Sequence, residues 1–297
     1  MGDSSLLDKI KGGLYGVAIG DALGGTTEFM TASEVKRRHG YLTEIVGGGV
    51  WRLEPGEVTD DTMMTLCVAE GILANPGSPM TSIGERFLEW YASKPKDIGN
   101  IVRRVLSSYD GSWFEAALLT DQDLGRSGGN GTLMRCIPVA LAYARLEDVE
   151  RVSVIQSRMT HYDERCDQAC VSYNRIVHRI LRGEELCQAI RAEVTGTEYE
   201  ESLDGDPGCE PSGFVVHSWK WALHFAYNAD SFEETVQLAA NKGGDSDTIG
   251  AIAGGLVGVY YGFERLPDRY RNAILVRDRL DDIAERLFAL RVAASGN

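Results

Sequence analysis

The sequence predicts an all-α protein that folds as one compact domain over residues 1–297. Apolar residues recur at steps of three and four along most of the chain, which is the period of a helix buried on one face. Alternating apolar and polar residues, the pattern of a half-buried strand, are lacking, and only the segment YLTEIVGGGVWRL, residues 41–53, is a candidate for short extended pieces. No repeat and no low-complexity linker divides the chain.

The predicted helices follow one another in chain order. The first has an apolar stripe from Leu6 to Val17, and the next clear stripe, from Ile83 to Tyr91, ends before Pro95, which cannot continue a helix. Further helical patterns cover residues 101–109, 132–145, 147–157, 166–182 and 272–294.

Two helix starts carry polar capping residues. Asn100 is suited to cap the helix over residues 101–109, because its side chain can accept from a free backbone N–H of the first turn. Ser231 and Glu234 have the spacing of a capping box, in which each side chain bonds the other residue's backbone. We therefore expect helices to begin near residues 101 and 232.

The composition excludes several classes of function. Hydrophobic residues make up 43% of the chain, enough for a sizeable core, so disorder is not expected. The formal net charge of −14 argues against nucleic acid as the main partner, since phosphate contacts need clustered Lys and Arg. No apolar run reaches the about 20 residues that cross a bilayer, and the N-terminus lacks the features of a secretory signal. The six cysteines form no CxxC pair, which favours a reducing cytoplasm.

Two distant segments place acidic and threonine residues directly before apolar helices: Thr59, Asp60 and Asp61 in one, and Asp245, Asp247 and Thr248 in the other. Either segment alone could simply cap a helix, with Thr59 and Asp247 as the N-caps, because Asp and Thr favour helix N-termini. Together they would put several carboxylates at the edge of the core, where they repel one another and lose hydration, so a compensating positive group is expected. Such oxygen donors suit Mg²⁺, Mn²⁺ or Ca²⁺, and no His or Cys lies beside them to favour zinc. Four aspartates could hold two cations that share a bridging carboxylate.

A third segment, GVAIGDALGGTTEF, carries Asp21 and Glu28 among several glycines. A glycine inside a helix costs about 1 kcal/mol relative to alanine. The pattern therefore indicates either tight helix packing or close approach of a ligand. Glu28 is a candidate for a further metal ligand or for a base acting on water.

Four motifs in order, GDALGGTTEF, TDDTMMTL, GNGTLMR and GGDSDTIGAIAGGLVG, resemble those of the ADP-ribosylglycohydrolases. The resemblance extends from about residue 10 to about residue 265. It implies a compact fold of orthogonally packed helices with a centre of two divalent cations, Mn²⁺ or Mg²⁺, at the bottom of a cleft. It also implies a hydrolase that cleaves the N-glycosidic bond between ADP-ribose and an arginine.

The resemblance also implies residue roles, beginning with the ligands of the two cations. The implied metal ligands are Glu28, Thr59, Asp60, Asp61, Asp245, Asp247 as the bridge, and Thr248. The implied catalytic residues are Asp97, as acid or base, and Glu28. The implied substrate-binding residues are Gly99, Asn100, Gly129, Asn130, Gly131, Thr132, Met134, His161 and Phe214. The glycine loop GGNGTLMR, residues 128–135, would cradle the diphosphate by its backbone N–H groups, and Phe214 would lie beneath the adenine.

Four of these assignments have ordinary structural alternatives. Asp97 could cap a turn after Pro95, and GGNG is a common composition of flexible loops. His161 could be a structural hydrogen-bonding residue, and Phe214 could belong to the core. Two chemical routes also stay open: Glu28 or Asp97 moves the proton while water attacks C1″, or Asp97 protonates the ribose ring oxygen and opens the ring.

The stretch WYASKPKDIGNIVRR is similar to the nitrogenase-linked branch of the family. This similarity implies that the substrate is ADP-ribosylated dinitrogenase reductase, the iron protein of nitrogenase, which the enzyme would reactivate under nitrogen control. It also implies a PII signal protein as a candidate partner and a cytoplasmic enzyme that reaches the membrane only peripherally, through a partner. The alternatives are hydrolysis of a serine-linked or O-acetyl-ADP-ribose substrate, and a catalytically silent ADP-ribose-binding protein of the same fold.

Overall fold

Helices make up the regular structure of residues 3–295, the part of the chain that the computed structural model describes. These residues contain no β-strand, only isolated bridges such as the one that joins Gly48 to Leu53 within the candidate extended segment. The prediction of an all-α fold is confirmed. No helix in the described range is both long and apolar enough to cross a bilayer.

Sixteen α-helices and two 3₁₀ turns follow one another along residues 3–295. The first eight are α1 (Asp3–Gly24), α2 (Ala32–His39), α3 (Asp60–Ala74), α4 (Met80–Ala92), α5 (Asn100–Ser108), α6 (Trp113–Leu124), α7 (Ile137–Ala142) and α8 (Leu146–Arg158). The second eight are α9 (Glu164–Leu181), α10 (Leu186–Val194), α11 (Glu201–Asp204), α12 (Val215–Asn228), α13 (Phe232–Lys242), α14 (Ser246–Tyr261), α15 (Asp268–Ala273) and α16 (Arg277–Ser295). The 3₁₀ turns are Asn130–Thr132 and Phe263–Arg265.

Two predicted helices are interrupted in the structure. The segment 132–145 begins with the 3₁₀ turn and becomes α-helical only from Ile137, because Pro138 suits the first turn of a helix and not its interior. The predicted tail helix divides into α15 and α16, since Ile274 is extended and the Leu275 N–H donates to the carbonyl oxygen of Gly56 at 3.0 Å. A tertiary hydrogen bond thus replaces a helical one.

The capping predictions are partly correct. Ser231 caps α13, and its Oγ accepts from the Glu234 N–H at 3.1 Å. The Glu234 carboxylate, however, accepts from the N–H of Asp230, so the box is not reciprocal. Asn100 is the first residue of α5 and Gly99 is its N-cap.

The centre of the fold is the antiparallel pair of α1 and α14, whose backbones touch through glycines spaced four apart. Gly12, Gly16 and Gly20 of α1 face Gly258, Gly254 and Gly250 of α14 in that order. An ideal Cβ built on Gly250 would lie 2.6 Å from the carbonyl oxygen of Gly20, so no larger residue fits without a shift of the backbone. The glycines of the third acidic segment therefore serve helix packing. Helices α3, α12, α13 and α16 cover this central pair.

This packing determines where the acidic segments meet. Gly24, the last residue of α1, lies against the backbone of Ser246, the first residue of α14. The residues that follow α1 and the residues that precede α14 therefore come to the same end of the pair.

Candidate active site

Two backbone hydrogen bonds join the segment that carries Glu28 to the segment that carries Asp245. The Phe29 N–H donates to the carbonyl oxygen of Gly244, and the Gly244 N–H donates to that of Met30, both at 2.7 Å. Phe29 has a φ of 61°, a left-handed conformation that is uncommon for a residue with a Cβ. The loop holds this conformation at a point that faces the candidate site, as strained residues in proteins often do.

Asp21 attaches the start of α3 to α1. Its carboxylate accepts from the Thr59 N–H at 3.0 Å, from the Thr62 N–H at 3.1 Å and from the Thr62 hydroxyl at 2.5 Å. These bonds satisfy free N–H groups of the first turn of α3, which lets a wholly buried carboxylate exist there. Asp21 therefore positions the acidic residues of α3. The sequence singled it out only as an acid among glycines, and no local signal indicated this role.

The three acidic segments converge with the DIGN loop, residues 97–100, which carries Asp97. One carboxylate oxygen each from Glu28, Asp97 and Asp247 lie within 4.8 Å of one another, and all three side chains are buried. Asp60 accepts from the Gly99 N–H through Oδ2 at 2.9 Å, which holds the DIGN loop against α3.

A side-chain hydrogen bond also joins α3 to α14. The Thr248 hydroxyl donates to Asp61 Oδ2 at 3.2 Å, and the Thr59 hydroxyl donates to the same oxygen at 3.2 Å. The N-cap role that the simpler interpretation gave Thr59 is correct, because its Oγ accepts from the Asp61 N–H at 3.4 Å. For Asp247 that interpretation is wrong: Asp245 occupies the N-cap position of α14, without a capping hydrogen bond.

The carboxylates that meet here form a cluster with the composition of a site for a hard divalent cation. Its members are the buried Glu28, Asp60, Asp61, Asp97 and Asp247 and the half-buried Asp245. Asp61 Oδ1 is buried and has no hydrogen-bond partner, although a buried carboxylate oxygen is normally satisfied. Over residues 3–295, no Lys, Arg or His forms an ion pair with any carboxylate of this cluster. Oxygen donors that repel one another and lack a protein cation fit Mg²⁺, Mn²⁺ or Ca²⁺.

Without a cation, the surroundings of these carboxyl groups favour their protonated forms. Burial, followed by the nearby charge of Asp245, raises the pKa of Glu28 to about 8. Burial, followed by the nearby charge of Asp60, raises the pKa of Asp97 to about 9. The pKa of Asp247 is also raised well above its usual range, first by burial and then by Glu28.

These shifts predict that the metal-free protein loses stability as the pH rises. In the unfolded chain the carboxyl groups titrate near pH 4, whereas the folded state keeps protons on Glu28 and Asp97 up to about pH 8 and 9. The folded state therefore binds more protons in this window, so its stabilisation by these groups is complete below about pH 4 and is lost towards pH 9. In EDTA we expect the melting temperature to fall steadily from pH 5.5 to pH 8.5.

Adding Mn²⁺ at pH 8.5 should reverse most of that loss, because the cation replaces the protons. Both series are run in 0.3 M NaCl, which screens the surface charges of this acidic chain but not a buried cluster. A chelated protein that melts at the same temperature at pH 5.5 and pH 8.5 would contradict the proposed electrostatics.

The carboxylates lie at a cleft of about 1050 Å³. Glu28, Asp60, Asp97, Asp245, Asp247 and Thr248 line one part of it. Most of the predicted substrate-binding residues also line it, namely Gly99, Asn100, Gly129, Asn130, Gly131, Met134, His161 and Phe214. Residues from seven distant parts of the chain thus share one cavity.

Three of the residues assigned by resemblance do not line the cleft. Thr132 is fully buried, its hydroxyl accepts from Cys170 Sγ at 3.5 Å, and its carbonyl accepts from Gln156. The 3₁₀ turn directs this side chain into the core, so the assignment of Thr132 to substrate binding stays a prediction that concerns its backbone and not its hydroxyl. Thr59 and Asp61 lie behind the cleft wall.

The glycine loop is held by backbone pairing with the segment before α12. The Asn130 N–H donates to the carbonyl oxygen of Gly213 at 3.0 Å, and the Val215 N–H donates to that of Gly128 at 2.9 Å. The Asn130 amide side chain donates to Ser218 Oγ at 2.8 Å and also to Asp245 Oδ2. The expectation that the whole loop offers its backbone N–H groups to a ligand is therefore too broad, because that of Asn130 is already occupied.

His161 supports the glycine loop from behind. Its Nδ1 is 2.9 Å from Thr160 Oγ1, and a Cβ built on Gly129 would lie 3.1 Å from its Nε2. Burial, and next the charge of Arg135, lowers the pKa of His161 to about 3, so the imidazole is neutral at physiological pH. The structural and the ligand-contacting interpretations of His161 both fit this position.

Phe214 is half-buried at the side of the cleft and already has two neighbours. The Arg165 guanidinium lies 4.9 Å from its ring centroid, and the His217 ring approaches edge-on at 5.1 Å. Sequence reasoning missed Arg165 and also Trp51, whose Nε1–H donates to Glu28 Oε2 at 2.5 Å. Trp51 belongs to the segment considered only for extended structure, and nothing in its local pattern indicates contact with Glu28.

An all-α fold with a buried cluster of oxygen donors at a large cleft defines a protein that can hold metal beside a sizeable ligand. The sequence model of the ADP-ribosylglycohydrolases matches residues 2–296, and the chain belongs to this family. It is a hydrolase of that family, as the resemblance of its four motifs implied.

Relatives agree with this assignment over nearly the whole chain. The chain is 34% identical to the ADP-ribosyl-(dinitrogen reductase) glycohydrolase of Rhodospirillum rubrum, covering 91% of each. It is 30% identical to the ADP-ribosylarginine hydrolase Tri1 of Serratia proteamaculans (strain 568), covering 96% of this chain and 80% of the relative. A solved structure described as an ADP-ribosylglycohydrolase-related protein complex matches with a TM-score of 0.83 and 30% identity, over 97% of this chain and 99% of that one.

Proposed function

We propose that this protein removes ADP-ribose from a modified arginine, and that the modified protein is dinitrogenase reductase. The observation that supports this most is the joining of the buried carboxylate cluster and the glycine loop in one cleft. The cleft is large enough for a ligand of the size of ADP-ribose. The 34% identity to a relative named for dinitrogen reductase supports the choice of substrate.

The oxygen donors of the cluster fit divalent cations, and we propose that the cluster holds two of them, Mn²⁺ or Mg²⁺. We propose Glu28, Asp60, Asp61, Asp245, Asp247 and Thr248 as their ligands, with Asp247 shared and Thr59 assisting through its hydrogen bond to Asp61. When bound, the cations would neutralise the carboxylates, hold the ribose hydroxyls and lower the pKa of a coordinated water.

The remaining steps belong to side chains of the cleft. The Trp51 indole donates to Oε2 of Glu28 and so holds this carboxylate in one orientation beside Asp97 and Asp247, where it can exchange a proton with the substrate or water. Asp97 lies beside Glu28 and Asp247, in an environment where a carboxyl group retains its proton readily. A protonated Asp97 can give that proton to the leaving guanidinium nitrogen or to the ribose ring oxygen as the charge at C1″ develops.

The glycine loop and its neighbours would hold the rest of the substrate. The loop is fixed by its pairing with the segment before α12, so a diphosphate would meet a preorganised surface. Phe214 offers an aromatic face for the adenine, beside Arg165. A cytoplasmic location, a PII partner and peripheral membrane association through a partner stay predictions of the resemblance.

The decisive experiment compares linkages. The protein is incubated with arginine-ADP-ribosylated dinitrogenase reductase, with a serine-ADP-ribosylated peptide and with O-acetyl-ADP-ribose, each with Mn²⁺ and with EDTA, and free ADP-ribose is measured. We expect release from the arginine substrate in Mn²⁺ and none in EDTA. Preferential cleavage of another linkage would refute the arginine assignment, and ADP-ribose binding without any release would favour the silent alternative.

A further inference from the structure

Arg135, the last residue of the glycine loop, has a guanidinium that is fully buried. Its Nε–H donates to Gln156 Oε1 at 3.0 Å, and Nη2 donates to the Gln156 carbonyl oxygen at 2.9 Å and to Thr160 Oγ1 at 2.7 Å. Over residues 3–295, no carboxylate forms an ion pair with this guanidinium. A buried charge without an ionic partner is costly, and the chemistry described above gives Arg135 no part. Its hydrogen bonds indicate what the charge does.

The bond from Arg135 fixes the direction of the Thr160 hydroxyl. A guanidinium donates and cannot accept, and although burial lowers the pKa of Arg135 to about 10, the group stays charged at physiological pH. Thr160 Oγ1 therefore accepts from Arg135. Its own proton is left for His161 Nδ1, which lies 2.9 Å away. Thr160 is fully buried and its hydroxyl has no third partner within residues 3–295, so any other direction would leave that proton unsatisfied.

The hydroxyl direction in turn fixes the tautomer of His161. Nδ1 accepts from Thr160, so a neutral imidazole carries its single proton on Nε2. The doubly protonated ring is excluded at physiological pH, because burial and the charge of Arg135 lower the pKa of His161 to about 3. His161 is therefore a donor through Nε2 and has no lone pair to offer there.

Nε2 is the ring atom of His161 that meets the glycine loop at the cleft. His161 lines the cleft, and within residues 3–295 its Nε2 has no hydrogen-bond partner. A Cβ built on Gly129 would lie 3.1 Å from Nε2, and one built on Gly131 would lie 3.6 Å from it, so two glycines leave this side of the ring uncovered. Both kinds of donor on Asn130, by contrast, are occupied within the protein. An N–H at this point suits an oxyanion, whereas a bare nitrogen would repel one.

We infer that Arg135 and Thr160 are positioning residues, which fix His161 as the Nε2–H tautomer so that it donates to an anionic group of the ligand at the glycine loop. Neither Arg135 nor Thr160 lines the cleft, so both act through His161. This inference rests on the proposed function and deepens it, because the diphosphate of ADP-ribose is the anion which that function places at the loop.

The tautomer is measured by NMR on protein labelled with ¹⁵N in its histidines. Long-range ¹H–¹⁵N correlations separate a ring nitrogen that carries a proton from one that does not, and His161→Ala assigns the signals of His161. We expect the wild type to carry the proton on Nε2. Thr160→Val keeps the side-chain shape without the hydroxyl and should give a mixture of tautomers, and Thr160→Ser should restore the single form. A wild-type proton on Nδ1, or one unchanged tautomer in Thr160→Val, would overturn the inference.

ADP-ribose binding with Mn²⁺, measured by calorimetry, tests whether the tautomer matters to the ligand. Thr160→Val should raise the Kd about tenfold, since a hydrogen bond to a charged oxygen loses its donor in part of the molecules, and Thr160→Ser should restore affinity. In a His161→Ala background the same Thr160→Val change should alter the Kd less than about twofold. Equal losses in both backgrounds would show that Thr160 acts on the fold and not through His161, which would refute the inference.

Thr235→Val is the matched control, because Thr235 is buried in α13, away from the cleft, and its hydroxyl donates to the Ser231 carbonyl oxygen at 2.9 Å. It removes a comparable buried hydroxyl and should leave the Kd unchanged. A loss of affinity equal to that of Thr160→Val would count against the inference. Melting temperatures establish that the variants fold, and Thr160→Ala replaces Thr160→Val if that variant does not.

The outcomes separate this inference from the proposed function. Binding of ADP-ribose that depends on Thr160 through His161, without hydrolysis of any arginine substrate, would refute the proposed activity and support the inference. Hydrolysis of the arginine substrate by a protein whose His161 carries its proton on Nδ1 would do the reverse.

Discussion

Replacing Asp247 with Asn is expected to lower kcat by at least about 10³-fold and to remove most of the bound Mn²⁺, with the fold retained. Asp247 lies in the first turn of α14 and faces both Glu28 and Asp97. Asn keeps the shape of the side chain. It also keeps an oxygen that can accept from the Thr248 N–H, as Asp247 Oδ1 does at 2.8 Å in the wild type. The variant therefore changes the charge and the donor strength of the proposed bridging ligand and little else.

Metal content by mass spectrometry, circular dichroism and turnover are measured together. In EDTA at pH 8.5 the variant should melt at or above the temperature of the wild type, because Asn removes one of several buried carboxyl groups that repel one another once they ionise. Asp278→Asn serves as control, since Asp278 is fully exposed on α16. Wild-type turnover in Asp247→Asn, or lost turnover with full metal content, would contradict the bridging role.

Asp97→Asn is expected to slow hydrolysis by at least about 10²-fold while Mn²⁺ content stays close to that of the wild type. Asp97 is held in the cluster by the DIGN loop, whose Gly99 N–H is fixed by Asp60 Oδ2. Asn cannot hold or give the proton that the carboxyl group transfers. The pH dependence of kcat should therefore lose the limb that depends on this group.

Lys96→Gln is the matched control for Asp97→Asn, because Lys96 is its neighbour in the loop and pairs with Glu57 on the surface. If both variants slow turnover equally, the loop conformation and not the carboxyl group is responsible. Unchanged turnover in Asp97→Asn would show that Asp97 is a turn residue, as its simpler interpretation holds. Loss of metal in this variant would instead make Asp97 a ligand, which its distance from Glu28 and Asp247 would permit.

The helices that local periodicity predicted are present where the pattern is uninterrupted, as in α4 and α8. They differ from prediction where a single residue or a distant bond intervenes, as at Pro138 and at the bond between Leu275 and Gly56. Periodicity reports which face of a segment is buried. It carries no information on a hydrogen bond to a residue more than two hundred positions away.

In the candidate site too, some features follow from local sequence and others depend on tertiary contacts. The acidic segments were recognisable because carboxylates before apolar helices are costly unless something compensates them. The contribution of Trp51 was not recognisable, nor was the inward direction of Thr132, because both depend on how a loop turns after it leaves its helix. The cationic end of α2 is visible in the sequence as KRRH, but its place beside the cleft is not.

By itself, the sequence determined the helical class of this protein, the oxygen-donor chemistry of its acidic segments and, through four ordered motifs, its family. These properties follow from residue types and short spacings, which are local. Only the tertiary structure decided that Glu28, Asp97 and Asp247 share one point, that Asp21 holds α3 there, and that a second groove opens beside them. The physical reason is the contact between α1 and α14: where two backbones touch through glycine, a shift of either helix would separate the carboxylates that their ends bring together.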